Sequence, residues 1–196
     1  MNALKVEVNE DSREFFDILR SGKEGEPPFF GLFFPMPEEV RGVDQQWRAA
    51  SSGEEAFTAL FRGGERLSDE EVARLAEEHG QPDWHTWATE NWGTKWDMGC
   101  VQNVRDGDVV LYFDTAWEPP REFVARLSRR WPSVAFTLAW AEPGMDACGE
   151  EVWLAGDGLE VVTGYYYEDS PTGAGAGDGS MLSLEAGRLY EVYGLW

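Results

Sequence analysis

An Asp-Gly pair, Asp106-Gly107, stands between two runs of alternating apolar residues at 96–104 and 109–115. Asp-Gly supplies the positive φ that a two-residue hairpin loop requires. Alternation with period two buries one face of each flanking strand. The centre of the chain is therefore predicted to be an antiparallel hairpin. Leu4, Val6 and Val8 alternate with Lys5 and Glu7, which predicts a half-buried strand over 4–8. Phe15, Phe16, Ile18 and Leu19 carry the period of a short helix, with Asp11 or Ser12 as its N-cap and Gly22 closing it. Residues 29–34 form a dense apolar run, read as a strand or extended chain entering the turn Pro35-Met36-Pro37. Pro37-Glu38-Glu39 then opens a helix.

Residues 43–91 read as a helical insertion with polar breaks. Ser68-Asp69-Glu70-Glu71 is a capping box, Val72, Leu75 and Ala76 are the buried stripe behind it, and Gly80 is the C-cap. A further helical piece covers 82–89. Pro119 and Pro120 start a helix that buries Phe123, Val124 and Leu127 and stops at Trp131-Pro132; residues 134–141 are the next strand. A hairpin around Gly156-Asp157-Gly158 follows, then a Gly-rich loop at 171–180. The apolar residues of 181–196 fit neither period. Without the insertion and the last hairpin, the order is βαββαβ. The expected fold is thus α+β: a ferredoxin-like antiparallel sheet with two helices on one face. It occupies 1–149 with the helical insertion at 43–91, and 150–196 is an acidic C-terminal β extension.

The chain has 196 residues, 42% of them hydrophobic, enough for one core without disulfide staples. Its two cysteines, Cys100 and Cys148, make no disulfide framework. Acids outnumber bases 37 to 16, for a net charge of −21. This opposes partners held mainly by phosphate contacts, and anionic membrane surfaces. No apolar run approaches the roughly 20 residues that span a bilayer, and the first ten residues lack an apolar signal core. A cytoplasmic location is expected. The last 55 residues hold 11 acids and one base, Arg188. This excess either solubilises the chain or forms an acidic face for a basic partner, with Glu150, Glu151, Asp157, Glu160, Glu168 and Asp169 as its candidate residues.

Three stretches carry a resemblance. They are Phe33-Phe34-Pro35-Met36-Pro37-Glu38-Glu39-Val40, Asn91-Trp92-Gly93-Thr94-Lys95-Trp96-Asp97 and Phe113-Asp114-Thr115-Ala116-Trp117-Glu118-Pro119-Pro120. In order and spacing they resemble the YubB-type ferredoxin-like proteins of plasmids, phages and other mobile elements. The resemblance runs from Phe33 to Gly149 and fades beyond; the N-terminal strand lacks the tryptophan that the family often has there. It implies the fold and an origin in a mobile element. It implies no catalytic residue.

Five of the ten tryptophans, Trp84, Trp87, Trp92, Trp96 and Trp117, fall within 34 residues. One reading is an aromatic pocket with Lys95 as its cation. The favoured one is a core, with Trp92, Trp96 and Trp117 buried and Lys95 reaching Asp97 or Asp114. Asp97 and Asp114, on adjacent predicted strands, are candidates for a carboxylate pair. His79 and His85 share no helix face, and no zinc spacing occurs, so no metal and no cofactor are expected. No catalytic residue is identified: there is no G-x-S-x-G, and acids surround Cys148. The glycines of 173–179 lack the Lys-Ser/Thr of a phosphate loop.

The expectation is a non-enzymatic acidic protein that binds a basic protein surface. It would act as a nucleic-acid mimic against a host defence system such as CRISPR–Cas, or as an immunity protein. One alternative is a nucleic-acid-binding accessory protein using Arg121, Arg126, Arg129 and Arg130 on one helix. Another is an enzyme with a site near Trp92 and Trp96.

Overall fold

The structure is a computed structural model that describes residues 1–48, 57–105, 108–164 and 184–195. The predicted hairpin forms from β5 (Val101–Arg105) and β6 (Asp108–Phe113), paired from Arg105↔Asp108 outward. The turn residues Asp106 and Gly107 lie outside the described residues. β1 (Asn2–Val6) pairs antiparallel with β6 on one side and with β7 (Phe136–Glu142) on the other. The order β5-β6-β1-β7 is that of a ferredoxin-like βαββαβ sheet. The strand starting at residue 96 in the sequence reading begins only at Val101, and residues 93–100 carry no regular strand.

β8 (Ala147–Leu154) and β9 (Asp157–Gly164) extend this sheet to six strands, in the order β5-β6-β1-β7-β8-β9. Their turn is Ala155-Gly156, both at positive φ, rather than Gly156-Asp157-Gly158.

α1 (Arg13–Ser21) and α6 (Arg121–Arg130) lie on one face of the sheet. There Leu4, Val6, Leu111, Phe113, Phe136 and Leu138 meet Phe15, Phe123, Val124 and Leu127. Ser12 stands at the N-cap of α1 but does not cap it. The Asn9 carboxamide oxygen accepts from the amides of Asp11 and Ser12, and the Ser12 hydroxyl turns back to Asn9.

Alternate residues Ala3, Val110, Ala139, Ala141 and Cys148 point to the opposite face. It is covered by α7 (Leu184–Tyr193), which falls in the stretch where neither period was evident. Ala186, Leu189 and Tyr193 supply its buried stripe. Small side chains on the strands allow the helix to approach closely. Tyr112 packs against this second core.

Two expectations are corrected. The apolar run at 29–34 is not a strand; it contains the single-turn helix α2 (Phe30–Phe33). The reason is Asp97, whose carboxylate accepts the amides of Phe29, Phe30 and Gly31 at 2.8, 2.7 and 2.8 Å. Three otherwise orphan donors of a helix start are satisfied from outside the helix.

Second, the insertion at 43–91 is not all helical. After the short helix α3 (Glu38–Arg41) come β2 (Val43–Arg48), β3 (Phe57–Arg62) and β4 (Glu65–Arg66), a separate three-stranded antiparallel sheet. The signal was present in Gly63-Gly64, a two-residue loop with both φ positive that pairs Arg62 with Glu65. α4 (Asp69–His79) and α5 (Trp84–Trp92) complete the insertion. Ser68 accepts from the Glu71 amide as expected, but only Leu75 of the expected stripe is fully buried. The buried Asp83 caps α5 through the amides of His85 and Thr86. It also accepts from Gln45, tying the small sheet to α5.

Candidate tryptophan cleft

α5 ends at Trp92, and the chain leaves it through Gly93 at φ +72. A Cβ at Gly93 would meet the backbone of Pro120 and Arg121 at 3.2 Å, so both the turn and the close approach need glycine. The following residues are fixed one by one. Thr94 is buried, and its hydroxyl accepts from the Ala116 amide at 3.4 Å. Asp97 turns inward to the start of α2, where a Cβ on Gly31 would come within 2.7 Å of its Oδ2. Between these two anchors Trp96 points outward and is 54% exposed.

Trp96 stands at a cleft of about 450 Å³, within the usual size of small-molecule sites, roughly 300–1,000 Å³. Buried Trp92 and Met36 line it, with half-buried Trp84, exposed Pro27 and Pro28, and Gly31. Trp92 is fixed by an indole N–H bond to the Phe34 carbonyl (2.9 Å) and an edge-on contact with Trp87. The Trp84 indole donates to Asp44 at 2.7 Å, so β2 holds that wall. Lys95 and Arg41 also line the cleft. Lys95 Nζ lies 4.2 Å from the centre of the Trp96 ring and has no carboxylate within ion-pair distance among the described residues. The other two lysines, Lys5 and Lys23, are ion-paired with Asp108 and Glu26. Arg41 pairs with exposed Glu38 at 3.3 Å. Burial raises the pKa of Asp97, and the three backbone amides oppose that shift by stabilising its charged form.

These positions correct several expectations. Trp92 is core, but Trp96 and Trp117 are exposed, Trp117 by 67%. Trp117 sits at φ +74 in a tight turn closed by the Glu118 amide on the Ala116 carbonyl, which presents its ring to solvent. Asp97 and Asp114 do not pair. Asp97 serves α2, whereas Asp114 is exposed and lies 3.7 Å from the N-terminal amine. Lys95 reaches neither of them.

Two of the six residues expected on an acidic face are not exposed. Glu150 and Glu151 are each only 6% exposed. Glu150 accepts from Arg188 of α7 at 3.2 Å, and Glu151 from Arg121 of α6 at 2.6 and 2.7 Å. β8 has helices over both its faces, so neighbouring side chains are covered on opposite sides. The Glu150 charge and burial also raise the pKa of Tyr193, burial being the larger cause. Asp157 is exposed at its turn; the side chain of Glu160, and all of Glu168 and Asp169, lie outside the described residues.

On the arginine helix two of the four candidate cations, Arg121 and Arg130, are ion-paired. Besides Arg121, Arg126 bonds Asn91 and covers Phe34, and Arg130 pairs with Glu14 and covers Trp131. The stem of Arg129 packs against Gly156.

Glu39, Glu78 and His79 bring ligand atoms within 4.8 Å of one another on the surface. Arg74 already sits among them, 2.5 Å from Glu78 and 3.8 Å from Glu39. The hydrogen bond to His79, then the Arg74 charge, holds the Glu39 pKa down. Both cysteines are buried, and burial pushes the Cys100 thiol up to about 11, where it is a poor nucleophile at neutral pH. Among the described residues neither histidine bonds a serine or cysteine.

Trp84, Trp92, Lys95 and Trp96 were visible in the sequence as an aromatic group with a cation. The contributions of Pro27, Pro28, Met36 and Arg41 were not, because they arrive through the folding of a segment some 60 residues away.

No described helix is long and apolar enough to cross a membrane. The family described as a ferredoxin-like domain in Api92-like protein matches residues 91–175, from the end of α5 through β9. The crystal structure of the protein api92 from Yersinia pseudotuberculosis is similar over 45% of this chain, at 23% identity and a TM-score of 0.35. The chain spans about a third (32%) of that protein's length. The uncharacterized protein YubB of Escherichia coli K12 is 33% identical over 98 residues, which cover 48% of this chain and 67% of YubB. With two thirds of YubB matched at that identity, and with a βαββαβ sheet, this chain belongs to the YubB-type family of ferredoxin-like proteins.

Proposed function

We propose that the chain is a non-enzymatic binding protein whose working site is the tryptophan cleft. The observation that carries this reading is Trp96. Its backbone is anchored on both sides by Thr94 and Asp97, yet its ring stands half in solvent at the mouth of a concave aromatic site. An exposed indole on an anchored backbone, beside an ammonium with no carboxylate partner among the described residues, is a recognition surface, and no pair of described groups around it is arranged for proton transfer or nucleophilic attack. The test is fluorine NMR of the chain labelled with 5-fluorotryptophan, the Trp96 signal being assigned with Trp96→Phe. A library of neutral, cationic and anionic aromatic fragments is expected to move the Trp96 signal and to leave Trp131 and Trp140 unmoved. A Trp96 signal indifferent to every fragment overturns the reading.

A second reading is favoured by the charge. The chain carries −21, and Asp69, Glu70 and Glu77 on α4 have no ion-pair partner among the described residues. Such a surface suits a basic protein and could mimic nucleic acid, as an inhibitor from a mobile element would. Reversing these three to lysine is expected to slow association with a sequence-nonspecific DNA-binding protein by roughly tenfold or more at low salt. Equal rates for both proteins would end this reading.

A further inference from the structure

From the charges around the cleft we infer its ligand: a planar aromatic ring bearing an anionic group, of about mononucleotide size. This rests on the proposal that the cleft is a binding site. Three observations point the same way. The lining carries flat rings: Trp84, Trp96, Pro27 and Pro28 each offer a face on which a planar group can stack. The volume of about 450 Å³ admits a ring with a short polar substituent. The electrostatics run against those of the whole molecule. In a chain of net charge −21, two cations line this cleft, and Lys95 is the one lysine of three with no carboxylate partner among the described residues.

Asp97, the acid that lines the cleft, offsets them only in part. Its two oxygens are engaged by the amides of Phe29, Phe30 and Gly31 and are directed at the start of α2. Among the described residues Arg41 pairs with one carboxylate, that of Glu38, whose side chain is 84% exposed and so contributes little to holding it, and donates to the Met36 carbonyl at 3.4 Å. A phosphate or carboxylate at the mouth therefore finds an ammonium with no carboxylate partner among the described residues and a guanidinium paired with one exposed carboxylate. The same group on an open part of this surface would meet net repulsion. The Lys95–Trp96 contact keeps the ammonium at the rim rather than extended into solvent, which lowers the ordering cost of using it.

The test is calorimetric titration of the full chain with adenosine 5′-monophosphate, adenosine, ribose 5-phosphate, indole-3-carboxylate and arginine amide. The nucleotide is expected to bind about tenfold or more tightly than adenosine, which lacks the anion, and than ribose 5-phosphate, which lacks the ring. Lys95→Ala should weaken the nucleotide about tenfold and leave adenosine unchanged. Trp96→Ala should weaken both, with no loss of melting temperature in either variant. Binding of indole-3-carboxylate with the same dependence on Lys95 supports the inference and makes the anion a carboxylate as well as a phosphate. If adenosine or arginine amide binds as tightly as the nucleotide, or if Lys95→Ala changes nothing, the anion assignment is overturned while the cleft remains a binding site. If no anion binds and no fragment moves the Trp96 fluorine signal, both fall.

Discussion

Trp92→Ala is expected to destabilise the protein by roughly 3–5 kcal/mol, and Trp96→Ala by less than about 1 kcal/mol, although the two indoles stand four residues apart in one motif. Trp92 is 4% exposed, packs edge-on against Trp87 at 5.3 Å, and donates its indole N–H to the Phe34 carbonyl. Its removal leaves a cavity beneath the aromatic cluster of Phe30 and Phe123 and an unsatisfied carbonyl at the end of α2. Trp96 has half its surface in water already, and its ring is covered by the flexible end of Lys95. Urea unfolding of both variants beside wild type measures the contrast. Equal losses of several kcal/mol would place Trp96 in the core and remove the basis for the cleft as a recognition site.

Asp97→Ala is expected to cost about 3 kcal/mol, because it strips the acceptor from three backbone amides at once. A four-residue helix has no stability of its own, so α2 loses its start when the carboxylate goes. Phe30 and Phe33, both buried, are carried by that turn. The loss should appear both in the urea midpoint and in the near-ultraviolet circular dichroism of the aromatic cluster. Asp97→Asn retains one acceptor oxygen but turns an amide donor toward another donor, and should fall between wild type and alanine. Gly31→Ala should act in the same direction, since its methyl would press on Asp97 Oδ2. An Asp97→Ala protein with unchanged midpoint and unchanged aromatic spectrum would show that α2 is held by packing alone.

Both experiments concern the place where sequence reading was weakest. Residues 29–34 are apolar with no period, so the pattern distinguishes neither helix nor strand. The helix exists because Asp97, 66 to 68 residues further along, supplies the acceptor. The three strands at 43–66 were missed for a different reason. The polar residues of β2 masked its alternation, while the Gly63-Gly64 hairpin signal was legible and carried too little weight. The acidic residues of β8 were misread because composition counts charge without showing which faces of a strand are covered.

The sequence by itself determined the order of the principal elements. Alternation around Asp106-Gly107, the Phe15–Leu19 stripe, and Phe123, Val124 and Leu127 behind two prolines are local patterns. Each is written within about ten residues and survives in the structure as β5–β6, α1 and α6. Only the tertiary structure decided which tryptophans are core and which face the solvent, and that Asp97 caps a helix instead of pairing with Asp114. It also decided that Glu150 and Glu151 lie under two different helices. Periodicity reports that a side chain points to one face of its own element. Whether that face meets a helix, a distant carboxylate or water depends on segments far apart in the chain, whose approach no local pattern records.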